Sequence, residues 1–180
     1  MFVRPGCLLT VACLMTCTVG AISAKADIVA KSDQGFQIRI ARPIAAKPQQ
    51  VYDALPQISK WWSAQHTYSL DADNLYLEPK AHGWFGERLP EGGVVCHMQV
   101  VFVQPGKMIR LTGGLGPLQE LGVHGAMTWA VTETEDGSEF VLTYNVVGYQ
   151  PDGMGMFAGP VNAVLTQQVE GLKALLEPQQ

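Results

Sequence analysis

From Phe36 the chain alternates: Phe36, Ile38 and Ile40 are apolar while Gln37 and Arg39 are polar, the period-two pattern of a strand with one face in a core. Pro43 is expected to end it. In "AKPQQVYDALPQISKWW" the period lengthens, with Val51, Leu55, Ile58, Trp61 and Trp62 recurring at helical spacing. Pro48 marks a helix start and Pro56 interrupts the pattern, so two short helices in tandem are expected. Strand-like runs follow at 70–78, 84–89, 94–103, 108–112, 126–133 and 140–147. The turn segments "LPEGG", "QPG" and "EDG" between them predict an antiparallel meander. After Gly159 and Pro160, the residues Val161, Val164, Leu165, Gln168, Val169, Leu172, Leu175 and Leu176 form one stripe as far as Pro178. The stripe predicts an amphipathic helix of roughly 17 residues whose apolar face must cover a surface as large as the sheet.

The chain begins differently. Arg4 precedes an apolar run over 7–22, and Ala24, Lys25 and Ala26 close it, the pattern of a secretory signal peptide over 1–26 cleaved before Asp27. The run is shorter than the about 20 apolar residues a membrane span needs, so no stable insertion is expected after cleavage. The remaining 27–180 is the length of one domain with its own core. Three of the four cysteines, Cys7, Cys13 and Cys17, leave with the peptide. Cys96 then stands alone, which excludes an internal disulfide and a cysteine-based metal site. The formal charge of −4 becomes more negative once Arg4 and Lys25 are gone, which argues against nucleic acid and anionic membrane as partners. The expected location is the periplasm or the exterior of the cell.

A strand, two short helices, a run of antiparallel strands and a long final helix is the element order of the α+β helix-grip fold, a curled antiparallel sheet wrapped around a long C-terminal α-helix. The segments "PQQVYDALPQISKWW", "GWFGERLPEGG", "PGKMIRLTGGLGPLQELGVHGAMTW" and "FVLTYNVVGYQPDG" resemble the START-like or SRPBCC superfamily across nearly all of 27–180. That superfamily includes polyketide cyclases, lipid-transfer domains and birch-pollen-allergen-like proteins. The stretch from Pro105 to Trp129 is similar to a bacterial branch of activator-of-chaperone-ATPase and polyketide-cyclase relatives. The resemblance implies a cavity between sheet and helix, and it implies no shared set of catalytic residues.

The residues expected to line such a cavity are Trp61, Trp62, Trp84, Phe85, Glu87, Met98, Leu115, Trp129, Tyr144 and Phe157. Adjacent side chains point different ways, so one of Trp61 and Trp62 can be core while the other meets a ligand, although both can equally be packing. Strand parity places Met127, Trp129 and Val131 inward, and likewise Phe140, Leu142, Tyr144 and Val146. In 94–103 it places Cys96, Met98, Val100 and Phe102 inward and His97 outward. Glu87 shares a face with Phe85 and Leu89, where a carboxylate is costly unless paired or assigned a task. The bland alternative is an edge position, with Glu87 in water or paired to Arg110. The loop 113–125, with Leu115, Leu118, Leu121 and His124, is either a lid or an ordinary plug. Met154, Met156 and Phe157 can cap the pocket with adaptable apolar surface.

The four histidines, His66, His82, His97 and His124, show no zinc spacing, and no G-x-S-x-G elbow is present. The glycine-rich loop lacks the lysine and hydroxyl of a phosphate loop. No cofactor and no metal are therefore expected. The expected function is binding of a small hydrophobic or amphipathic ligand, lipid-like or polyketide and aromatic. One alternative is a cavity enzyme of cyclase, dehydrase or isomerase type with Glu87 as general base beside Tyr144 or His124. The other is a protein-interaction domain. The sequence leaves oligomeric state open.

Overall fold

The computed structural model describes residues 26–177. The signal peptide read at 1–26 lies outside the described residues except for Ala26, which opens a strand that the pattern did not announce, β1 (Ala26–Ser32). β1 pairs with β2 (Gly35–Ile44), and after the short helix α1 (Pro48–Ala54) come β3 (Leu75–Leu77), β4 (Trp84–Arg88), β5 (Val94–Gln104), β6 (Met108–Thr112), β7 (His124–Thr134) and β8 (Gly137–Val147). The eight strands form one antiparallel sheet in the order β1-β2-β8-β7-β6-β5-β4-β3. The chain closes with α2 (Ala158–Leu176), 19 residues long. This is the α+β helix-grip architecture. Among the described residues no helix is long and apolar enough to cross a membrane.

The alternating strands behave as their pattern dictates. Phe36, Ile38 and Ile40 of β2, Met127, Trp129 and Val131 of β7, and Phe140, Leu142, Tyr144 and Val146 of β8 are all buried. α2 lays Leu165, Val169 and Leu172 on this surface. Its C-terminal half is fastened to β2: Arg42 Nε donates to Glu170 Oε1 at 2.5 Å, and Lys173 Nζ donates to the Pro43 carbonyl at 3.1 Å. A Cβ on Gly171 would run into the Trp61 carbonyl oxygen, so only glycine lets the helix backbone approach so closely.

Several expectations are corrected. β2 does not stop at Pro43 but runs through it to Ile44; among the described residues the β1 ladder reaches only to Ile40, so Pro43 is not called on to donate an N–H to it. The second tandem helix is one turn of 3₁₀ helix, Ile58–Lys60. The strand expected at 70–78 is reduced to β3, because Leu70 adopts a left-handed φ of 58° and Ala72–Asn74 coils into another 3₁₀ turn. Leu175, though in the apolar stripe, is exposed.

The main departure lies in β5. Two register shifts interrupt it, one opposite Phe85 and Gly86 and one between Val100 and Phe102. Each is a bulge that adds a residue on one strand and so reverses its alternation. Cys96 and Phe102, expected inward, are exposed, and His97, expected outward, is buried beside Met98.

Candidate functional site

A cavity of about 550 Å³ lies between the N-terminal half of α2 and the β4–β5 end of the sheet. Val161, Val164 and Leu165 form its helical wall, Phe85 and His97 its sheet wall. The segment 65–68 and the loop 115–118 close the sides, with Phe157 at the foot of α2. Val161 and Val164 are only half-buried because their side of the stripe meets this space instead of packed atoms.

The adjacent tryptophans divide the labour. Trp61 donates its indole N–H to the Ala54 carbonyl at 3.1 Å and meets Trp129 edge-on at 5.5 Å, within the core. Trp62 donates to the His66 carbonyl at 3.1 Å, packs against Phe85 at 5.2 Å and lines the cavity.

Behind the sheet wall sits a buried ionisable pair. Glu87 is fully buried on β4 and accepts three hydrogen bonds: from the Ser69 N–H at 2.5 Å, the Tyr68 N–H at 3.0 Å and His97 Nε2 at 3.0 Å. Burial alone would push its carboxyl up, but hydrogen bonding from Ser69, Tyr68 and His97 outweighs this and leaves it below the ordinary value. The group is therefore a carboxylate. For His97 burial dominates and pushes the imidazole below its ordinary value, against the upward pull of Glu87. A neutral imidazole facing a carboxylate through Nε2 carries its one proton there. Nδ1 is left as an unprotonated acceptor, buried and without a hydrogen-bond partner. The ring packs against Phe85, with centroids 4.9 Å apart, and stacks on Tyr68, with centroids 5.9 Å apart. The same carboxylate thus anchors the cavity segment around Tyr68 and orients the imidazole.

Two further attachments fix the walls. Gln168, the one polar member of the apolar stripe, accepts from the Ser63 N–H at 2.7 Å and donates to the Val164 carbonyl at 3.1 Å. The Tyr144 hydroxyl accepts from the Leu115 N–H and donates to the Gly113 carbonyl, both at 3.0 Å, which clasps the loop 113–118 onto the sheet. Burial pushes that phenol up to about 12. Among the described residues no group of three or more histidines, cysteines and acids is arranged to hold a metal ion.

Residues 36–177 match the family model for polyketide cyclase / dehydrase and lipid transport. The chain belongs to that family. No curated protein matches it. Among solved structures, a Mesorhizobium loti protein is 22% identical over 80% of this chain and 98% of its own, with a TM-score of 0.57. A Rhizobium leguminosarum protein is 19% identical over 81% and 97%, with a TM-score of 0.60. DynU16, a protein of the dynemicin biosynthetic locus, is 17% identical over 79% and 47%, with a TM-score of 0.54. At these identities the likeness shows the fold.

Within this polyketide cyclase / dehydrase framework the expected site residues separate. Trp62, Phe85, Leu115 and Phe157 line the cavity. Glu87 lies behind His97 instead of on the wall, and Arg110 is not its partner, since Arg110 donates to Thr128 and stacks on Phe102. Trp61, Met98, Trp129 and Tyr144 are buried in the packed core. Trp84 points to the outer face and is exposed, because β4 turns Phe85 and Glu87 inward. His124 opens β7 on the exposed side, on the face opposite Gly125 and Met127. Met154 is core and Met156 exposed, so of that trio only Phe157 meets the cavity. His97 is the residue that sequence parity missed. One signal was present: in "VVCHMQVVFVQ" apolar residues occupy both parities, which is what a bulged strand produces.

Proposed function

We propose that the chain binds a small apolar or amphipathic molecule, lipid-like or aromatic, in the cavity between α2 and the β4–β5 end of the sheet, and releases it unchanged. The cavity itself carries this: about 550 Å³, walled largely by Trp62, Phe85, Leu115, Leu118, Phe157 and Val161. Small-molecule sites are typically concave, apolar spaces of roughly 300–1,000 Å³ with a few placed polar groups. The test is mass spectrometry of an organic-solvent extract of the natively purified protein, produced from its full sequence in an exporting bacterial host. One lipid, quinone or aromatic compound is expected near stoichiometry, and Val161→Trp, which fills the cavity, is expected to lose it while remaining folded. An empty extract, together with no binding of any apolar dye, would shift weight to a protein-interaction domain.

The Glu87–His97 pair favours a second function, a cavity enzyme of cyclase, dehydrase or isomerase type. Tyr144 is engaged by backbone and His124 is exposed, so the base in that case is His97 with Glu87 orienting it. Turnover of a candidate substrate that His97→Gln abolishes without loss of binding would establish it.

A further inference from the structure

We propose that the cavity selects by charge: its ligand is an uncharged apolar or aromatic molecule, with hydroxyl, carbonyl or amide groups at most, and anionic counterparts bearing a carboxylate or phosphate are turned away. This rests on the cavity being a binding site and adds which apolar molecules the site accepts.

No lysine, arginine, aspartate or glutamate is among the residues that line the space. Apart from His97, its polar side chains, Gln65, His66, Thr67 and Tyr68, all come from one segment. Two of them are already engaged, His66 Nε2 with Gln167 Oε1 and the Thr67 hydroxyl with the Ala64 carbonyl, both at 2.8 Å. A carboxylate that leaves water for such a space finds neither a lysine nor an arginine to pair with, and an unpaired buried charge is costly. The wall adds repulsion to that cost. Glu87 is a buried carboxylate directly behind His97, and its partners are a neutral imidazole and the uncharged N–H groups of Tyr68 and Ser69. The pair therefore keeps a negative charge that none of these partners offsets, in surroundings where charge is poorly screened. A second carboxylate stands outside: Glu120 is exposed, two residues beyond the cavity residue Leu118. Burial pushes the Tyr68 phenol up, and Glu120 and Glu87 push it further, so both charges are felt at the segment that carries the polar groups. A cation would escape this repulsion but would find no carboxylate on the wall to pair with. A neutral molecule bears neither cost.

The experiment compares 2-naphthamide with 2-naphthoate at neutral pH, probes of nearly the same shape of which only the second is charged, by calorimetric titration of the natively purified protein. Wild type is expected to bind the amide at least about tenfold more tightly. Val161→Trp is expected to lose both probes, which places them in the cavity. Gln65→Arg supplies the missing cation from an exposed position of the lining, so the core is left as it is. It is expected to narrow the gap by raising the affinity for naphthoate. Equal affinities in wild type, or a preference for naphthoate, would overturn the proposal while leaving the cavity as a binding site. A gap that Gln65→Arg leaves unchanged would also overturn it, since the charge of the cavity would then not be what discriminates. Binding of neither probe would remove the cavity reading and this inference with it.

Discussion

The two ends of the sheet are built to different rules. At the β2-β8-β7 end the ladders run without interruption, ten consecutive residues of β2 from Gly35 to Ile44 against β8, and β8 against β7 from Gly137 to Val147. Unbroken alternation delivers every second side chain to one face, and there Trp129, Phe140, Leu142 and Tyr144 are fully buried in the packed core. At the β3-β4-β5 end two bulges interrupt the ladder, β3 is three residues long, and the space under the N-terminal half of α2 is left open. Along β2, β8 and β7 regular pairing goes with the packed core, and along β4 and β5 irregular pairing goes with the cavity; the one shift at the packed end, between Ile28 and Ala30, is confined to the edge strand β1. The bulge that breaks the alternation is also what brings His97 to the wall beside Met98.

The contrast breaks most visibly under truncation. Trp129→Ala removes a fully buried indole from the packed end and is expected to destabilise the fold by about 4 kcal/mol in urea unfolding. Val164→Ala, on the half-buried cavity wall, is expected to cost about 1 kcal/mol or less while altering ligand binding. Equal losses would mean that the cavity end is packed as tightly as the other. Between these comes Glu87→Ala. It strips the acceptor from two backbone N–H groups and from His97, and about 3 kcal/mol of stability is expected to go with it. The same change should loosen the segment around Tyr68, seen as faster amide exchange at Tyr68 and Ser69 than in the unaltered β2–β8 ladder.

How much of this was legible in the sequence follows the same division. The fold and the packed end were legible, because Phe36, Trp129, Phe140 and Tyr144 obey a strict period and α2 announces itself by its stripe. The unusual environment of Glu87 was legible too, since a carboxylate on an apolar face needs partners. Those partners were not. Two are backbone N–H groups of an irregular segment, which carry no sequence signature, and the third is a histidine whose direction is inverted by a bulge. Tyr144 faced inward as parity required, but that its hydroxyl ties down the loop at Gly113 and Leu115 depends on a contact between residues about thirty positions apart. Trp84 and His124 failed as site residues for the plain reason that each takes the outward place in its strand.

Acid should act on the cavity end first. His97 and Glu87 both titrate below their ordinary values in the fold, His97 chiefly through burial and Glu87 because its hydrogen bonds outweigh burial. At mildly acid pH the unfolded chain therefore binds protons that the folded chain refuses, and stability declines as pH falls. The His97 contribution begins to be lost below its ordinary 6.5 and the Glu87 contribution below its ordinary 4.5, each until pH has passed through the folded value. His97→Gln, which keeps a donor for Glu87 but cannot titrate, should flatten the upper part of this curve. Thermal unfolding between pH 7 and 5 checks it, and an unchanged slope would show that His97 is not held neutral by its surroundings.

The smallest effect is the most direct test of the bulge. The alternation of β5 in its unbroken form puts Cys96 in the core and His97 in water; the bulged strand does the reverse. Cys96 is accordingly expected to react with a water-soluble disulfide reagent in the folded protein, with no need for unfolding and little change in stability. Partial burial pushes its thiol up, so the rate should climb with pH into the alkaline range as thiolate forms. A rate that is instead slow and follows the unfolding equilibrium in denaturant would place Cys96 inside. His97 would then face out, Glu87 would lose its side-chain partner, and the cavity end would revert to the regular pairing of the other end of the sheet.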